Sequence, residues 1–138
     1  MSLTTIHHIG YLVKKIEKSI QAFEALGYQI SSPTVYDSIR EVDICFLTKD
    51  GYCIELVSPK TETSVVAHLM KKYKNSPYHI CYSCEDFDNQ LEALQQNGYL
   101  MIDTPCAAPA LGNQRVVFLM HPNLGMIELL DSAMPADS

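Results

Sequence analysis

Two histidines and two glutamates stand out in this chain because of where they recur. His8 sits in Ile6-His7-His8-Ile9-Gly10-Tyr11, and the pattern returns in the second half of the chain, where His79 sits in Pro77-Tyr78-His79-Ile80-Cys81-Tyr82. Glu55 lies in Ile54-Glu55-Leu56, and Glu128 lies in the matching Ile127-Glu128-Leu129. Imidazole nitrogens together with carboxylate oxygens suit one borderline divalent ion: Ni, Co or Zn, with Mn or Fe also compatible. Two of each would leave room for two waters or substrate oxygens in six-coordination. An ionised glutamate between apolar neighbours costs several kcal/mol unless it is paired or meets a cation. A metal held by His8, Glu55, His79 and Glu128 removes that cost.

The elements that must position these residues repeat with them. Ala25-Leu26-Gly27-Tyr28 parallels Gln96-Asn97-Gly98-Tyr99 at the same offset that relates His8 to His79. In the first half, residues 8–13 read as a strand. Ile16, Ile20, Phe23 and Leu26 then recur at helical spacing, and Gly27 is the helix stop. Residues 28–31, 42–48 and 52–57 read as strands, with Asp50-Gly51 as a hairpin turn. The second half copies the order: a strand over 78–84, a helix over about 86–97 stopped by Gly98, and strands over 99–102, 115–120 and 126–130. The expected fold class is α+β, two paired βαβββ repeats forming a curved mixed sheet with a central metal cleft. A single domain over 1–138 is expected, with repeats at about 4–59 and 77–131 and a connecting helix at about 61–75. Residues 105–113 read as a loop and 132–138 as a disordered tail.

Strand alternation then aims the polar residues. Ile9, Tyr11 and Val13 form the face under the first helix, which sends His8 to the opposite face; Ile80 and Tyr82 do the same for His79. Ile54 and Leu56 leave Glu55 on the cleft face, and Ile127 and Leu129 leave Glu128 there. His7 falls on the helix side, while His68 and His121 read as surface residues.

Composition excludes other classes. Ten basic against sixteen acidic residues give a charge of −6, the wrong sign for neutralising phosphates, so no nucleic-acid partner is expected. No apolar run is long enough to span a bilayer, and residues 1–10 lack a secretory signal. A cytoplasmic address with no membrane partner is therefore expected. The five cysteines read as free thiols. Cys81 and Cys84, three apart on a strand, point to opposite faces and cannot share a metal. Lys71-Lys72-Tyr73-Lys74 reads as a solvated helix end, or as an attraction for an anionic ligand tail.

The four ligand-bearing strands resemble the vicinal oxygen chelate (glyoxalase/bleomycin resistance/dioxygenase) superfamily over roughly residues 4 to 131. The resemblance implies a substrate that chelates the metal through adjacent oxygens, proton transfer through an enediolate, and Glu128 as the base, with Glu55 the other catalytic carboxylate. The favoured activity is glyoxalase I-type (lactoylglutathione lyase-like) isomerisation of a glutathione hemithioacetal. The alternatives are methylmalonyl-CoA epimerase-like racemisation of an acyl-CoA and a non-catalytic small-molecule binding or resistance module. Epimerisation needs a second base, and the position expected to carry it falls on Ile39; Glu41 or Asp43 would serve only in a different register. Arg115, at a strand start beside the 105–113 loop, and Asp43 are the candidate substrate-binding side chains. The resemblance also implies a homodimer.

Overall fold

A computed structural model describes residues 4–137. The described residues divide into two compact units, one spanning His8–Tyr78 and the other residues 79–137 together with residues 4–7. Each unit is a mixed sheet backed by a helix, and the fold class is α+β.

In the first unit, strand β1 (Thr5–Leu12) leads into helix α1 (Ile16–Glu24). Two short strands follow, β2 (Gln29–Ile30) and β3 (Val35–Asp37), then the long hairpin of β4 (Val42–Lys49) and β5 (Tyr52–Pro59). Both β2 and β3 pair antiparallel with β4, so together they are one edge strand interrupted at residues 31–34. β5 closes the unit by running parallel to β1, with Ile9 opposite Ile54 and Gly10 opposite Glu55. The β4–β5 turn is tight because Asp50 and Gly51 both adopt left-handed φ, at 53° and 84°, as a two-residue hairpin loop requires.

Helix α2 is Ala67–Tyr73, shorter than the expected 61–75. The preceding residues form turns, and Val65 there is 57% exposed. The second unit repeats the first. β6 (Ser76–Cys84), most of which lies in it, is followed by α3 (Phe87–Gln96), β7 (Leu100–Met101), β8 (Cys106–Ala108), β9 (Gln114–His121) and β10 (Gly125–Asp131). β7 and β8 both pair with β9, and β10 runs parallel to β6 and antiparallel to β9.

The structure also corrects the reading of both irregular segments. Residues 105–113 are not a plain loop: they contain β8 and a 3-10 turn at Pro109–Leu111. The described part of the tail is anchored: the Gln114 Nε2 donates to the Met134 carbonyl at 2.8 Å, and the Asp137 amide to the Gly112 carbonyl at 2.8 Å. A Cβ on Gly112 would stand 2.7 Å from that of Ala136, so a glycine lets the tail lie close.

The helix side of each sheet is an apolar core. Val13, Ile16, Cys45, Leu47, Ile54 and Leu56 fill the first unit, and Cys84, Phe87, Val117, Leu119, Ile127 and Leu129 the second. Ile9, expected under α1, is instead 37% exposed. Cys84 belongs to the helix-side core, whereas Cys81 packs with Ala108, Val116 and Leu130; the Cys-x-x-Cys pair is split across the strand, as alternation requires. No helix among the described residues is long and apolar enough to cross a membrane.

Candidate metal centre

His8 on β1 and Glu55 on β5 come together because parallel pairing puts Glu55 opposite Gly10. His8 lies two residues before Gly10 and therefore on the same face. Its Nε2 is 3.3 Å from Glu55 Oε1, and the two residues are 1% and 4% exposed. In the second unit Glu128 is opposite Cys81, which lies two residues after His79. His79 Nε2 is likewise 3.3 Å from Glu128 Oε1, at 3% and 4% exposure.

That shared distance carries information. A buried imidazolium–carboxylate hydrogen bond closes to about 2.7–2.9 Å. Two donor atoms each about 2.1 Å from a common ion stand roughly 3.0 to 3.4 Å apart, from octahedral to tetrahedral angles. The observed 3.3 Å lies within that range, and a buried imidazole nitrogen beside a carboxylate oxygen is a donor set that divalent ions accept. These residues therefore fit a divalent metal, and each pair would supply one nitrogen and one oxygen.

A phenylalanine completes each pair. Phe46 is directly opposite Glu55 across the β4–β5 hairpin, and its ring meets His8 edge-on, with centroids 5.3 Å apart at 77°. Phe118 is directly opposite Glu128, and meets His79 at 5.1 Å and 89°. The rings restrict imidazole rotation and keep water from the carboxylates. Phe46 and Phe118 occupy matching places in the two repeats and carried the same signal as the ligands, but sequence reasoning did not single them out.

Arg115 and Asp43 do not join this face. In antiparallel pairs, directly opposite residues share a face; Phe118 therefore lies with Glu128, and Arg115, three residues earlier, lies on the helix side. There its guanidinium stacks 4.3 Å from the Phe87 ring, between Asp131 Oδ2 at 3.1 Å and Asp88 Oδ1 at 3.3 Å. Asp43 is opposite Ser58, whereas Phe46 is opposite Glu55. Asp43 accordingly sits on the face away from Glu55, paired with Lys60 Nζ at 3.1 Å. Ile39 is 56% exposed.

Sequence reasoning missed the turn that precedes β4. Asp37 is buried; its Oδ1 accepts from the amides of Ile39 and Arg40 at 2.9 and 3.0 Å, and its Oδ2 from Arg40 Nη1 at 2.8 Å. The turn delivers Glu41 in left-handed backbone, φ 57°, a conformation a non-glycine residue keeps only where its surroundings enforce it. Its carboxylate accepts from the hydroxyls of Thr61 at 3.0 Å and Thr63 at 2.9 Å. Because this kink precedes the strand, alternation along β4 does not assign Glu41 to either face. An Asp-x-x-Arg spacing was the available signal.

Burial raises the Cys53 thiol, helped by the Glu55 charge two residues on, and burial raises Cys45 as well. Neither is a nucleophile at neutral pH.

An α+β chain carrying a duplicated, buried His–Glu pair defines a class that sequence comparison then names. Residues 7–118 match the Glyoxalase/Bleomycin resistance protein/Dioxygenase superfamily. The chain belongs to that superfamily. No curated protein matches the sequence. Among solved structures, the fold is similar to the hypothetical protein BH1468 from Bacillus halodurans C-125, at TM-score 0.82 and 24% identity, covering 98% of this chain and 99% of that one. Methylmalonyl-CoA epimerase from Mycobacterium tuberculosis follows at TM-score 0.81 and 23% identity, covering 94% and 89%. A variant of the Streptomyces coelicolor epimerase, in complex with 2-nitronate-propionyl-CoA, gives TM-score 0.81 and 24% identity, covering 99% and 100%. At these identities the likeness is one of fold.

Proposed function

We propose that the two His–Glu pairs complete one another around a single divalent ion, Ni, Co or Zn with Mn or Fe as further candidates. On this reading the two units form one vicinal oxygen chelate domain that moves a proton on a carbon beside a carbonyl. The observation that carries the proposal is the duplicated geometry, with 3.3 Å between Nε2 and Oε1 in both pairs. Bound by His8, Glu55, His79 and Glu128, the ion would act as a Lewis acid toward a substrate carbonyl. Glu128 takes the proton from the neighbouring carbon. Phe46, buried, and Phe118, half-buried, limit the access of water, which strengthens charge interactions at the reacting atoms.

The substrate reading supported best is an acyl-CoA racemised as by methylmalonyl-CoA epimerase, which exchanges places with the glyoxalase I-type activity favoured by the sequence. Two observations support it. Epimerases of this fold match the chain nearly end to end. Glu41, in left-handed backbone with its carboxylate accepting from two threonine hydroxyls, is a candidate for the second base; in that role it would return the proton on the opposite face. Glyoxalase I-type isomerisation of a glutathione hemithioacetal is the second reading, favoured by the complete two-histidine, two-glutamate set. A cytoplasmic homodimer goes with either.

The deciding experiment loads metal-free protein with Ni, Co or Zn and offers both substrates. Solvent deuterium entering C2 of methylmalonyl-CoA with racemisation is the expected result. Lactoylglutathione formation without that exchange would move the assignment to the second reading. Binding of two ions per chain, or binding that survives loss of either pair, would overturn the shared centre.

A further inference from the structure

Tyr11 and Val13 lie on the face of the first sheet opposite His8, and an open groove of about 450 Å³ runs there beside α1. We infer that this groove binds a small amphiphilic anion, an apolar body bearing a carboxylate or phosphate head, at a site separate from the His–Glu pairs. Its volume is that of a small-molecule site. Tyr11, Phe23 and Leu26 form the apolar lining. Phe23 is held edge-on between Tyr11 at 5.2 Å and Tyr28 at 5.1 Å, so the aromatic wall is pre-formed. Leu26, 65% exposed, leaves apolar surface uncovered at the groove's far end.

Lys14, Lys15 and Lys18 supply the charge. Lys49 pairs with Asp50 and Lys60 with Asp43, but among the described residues none of the three groove lysines is in an ion pair. The chain has sixteen acidic and ten basic residues, so partners were abundant, and three of the ten cations still gather unpaired at one cavity. The backbone that carries them is fixed: the Lys14 amide donates to Asn75 Oδ1 at 2.8 Å, and its carbonyl accepts from Ser58 Oγ at 3.0 Å. They also crowd the positive end of α1, where the only acidic residue of the first turn is Glu17, an arrangement that repels itself until an anion arrives. Ammonium groups serve carboxylate and phosphate alike as point charges.

The test is an amide chemical-shift titration of the intact chain with decanoate, decyl phosphate, decanol and inorganic phosphate. We expect saturable shifts at residues 11, 15–23 and 75 with either amphiphilic anion, and binding about tenfold weaker or worse for decanol and for inorganic phosphate. The triple variant Lys14→Gln, Lys15→Gln, Lys18→Gln, with unchanged circular dichroism, should lose about tenfold in affinity, and added salt should weaken the wild type. The tighter of the two amphiphilic anions identifies the head group. Equal binding of decanol, an unaffected triple variant, no binding, or shifts centred on Phe46 and Phe118 would each overturn the site. Binding is read without turnover, so its failure and the failure of the proposed reaction are told apart.

Discussion

The two units place the same parts at matching positions and part company at their edges. Val13, Ile16, Leu47, Ile54 and Leu56 of the first core correspond to Cys84, Phe87, Leu119, Ile127 and Leu129 of the second. Cys45 corresponds to Val117, so each core holds one valine and one cysteine in exchanged places. The His–Glu–Phe triplets nearly coincide in ring separation, 5.3 Å in the first and 5.1 Å in the second. The strand ends differ instead. The first unit has the Asp37–Glu41 turn tied to Thr61 and Thr63; the second has a 3-10 turn strapped by the tail. Ligand geometry tolerates little variation where an ion must fit, whereas the strand ends carry no such constraint and are free to diverge.

The largest expected effect breaks the symmetry of the two carboxylates. Glu128→Gln should keep the fold and lower kcat by about a thousandfold or more, while Glu55→Gln should act chiefly through metal affinity. Steady-state kinetics at saturating metal separates the two, and a mild Glu128→Gln beside an inactive Glu55→Gln would exchange their roles. Next come the imidazoles. Removing a ligand should cost at least the ten- to hundredfold lost with an outer-shell partner, so His8→Ala and His79→Ala should each raise the metal Kd by about a hundredfold, measured by competition with a chelator. If only one of them did so, the pairs would not share an ion. Smaller again is Glu41→Gln: racemisation should fall by about a hundredfold while deuterium still exchanges into one enantiomer of the substrate. Equal loss of exchange and racemisation would remove Glu41 from the second-base role.

Much of this comparison was legible in the residues. Alternation, anchored on Ile54 and Leu56, or Ile127 and Leu129, put each glutamate on the face away from the helix, and the repeat supplied the histidines. What stayed hidden lacked either period or parity. β3 and β8 are three residues long, too short for alternation to register. Left-handed Glu41 breaks the count that would have assigned its face. The face of Arg115 follows only from the register: the pairing of Glu128 with Phe118 shows that a residue three before Phe118 faces the helix. Ile9 looked like core by parity alone, which says where a side chain points and not what covers it.

The smallest effect sharpens the exchanged valine and cysteine. In the second core the Cys84 thiol is pushed up to about 11 from the 9.0 of a free thiol, first by burial and then by the charges of Asp131 and Asp86. The native state therefore holds this proton more tightly than the unfolded chain. Its contribution to stability is complete below about pH 9 and is lost as pH rises toward 11. The urea midpoint should fall across that interval. Cys84→Val copies the residue that the first core carries at the matching position. Being nearly volume-conserving, it should change stability at pH 7 by less than about 1.5 kcal/mol. It should also flatten part of the alkaline decline, leaving the share due to Cys45 and Cys53, which burial raises as well. An unchanged alkaline slope in this variant would mean that the Cys84 thiolate is accommodated in the folded core, and that the two half-cores differ in polarity and not only in which strand carries the sulfur.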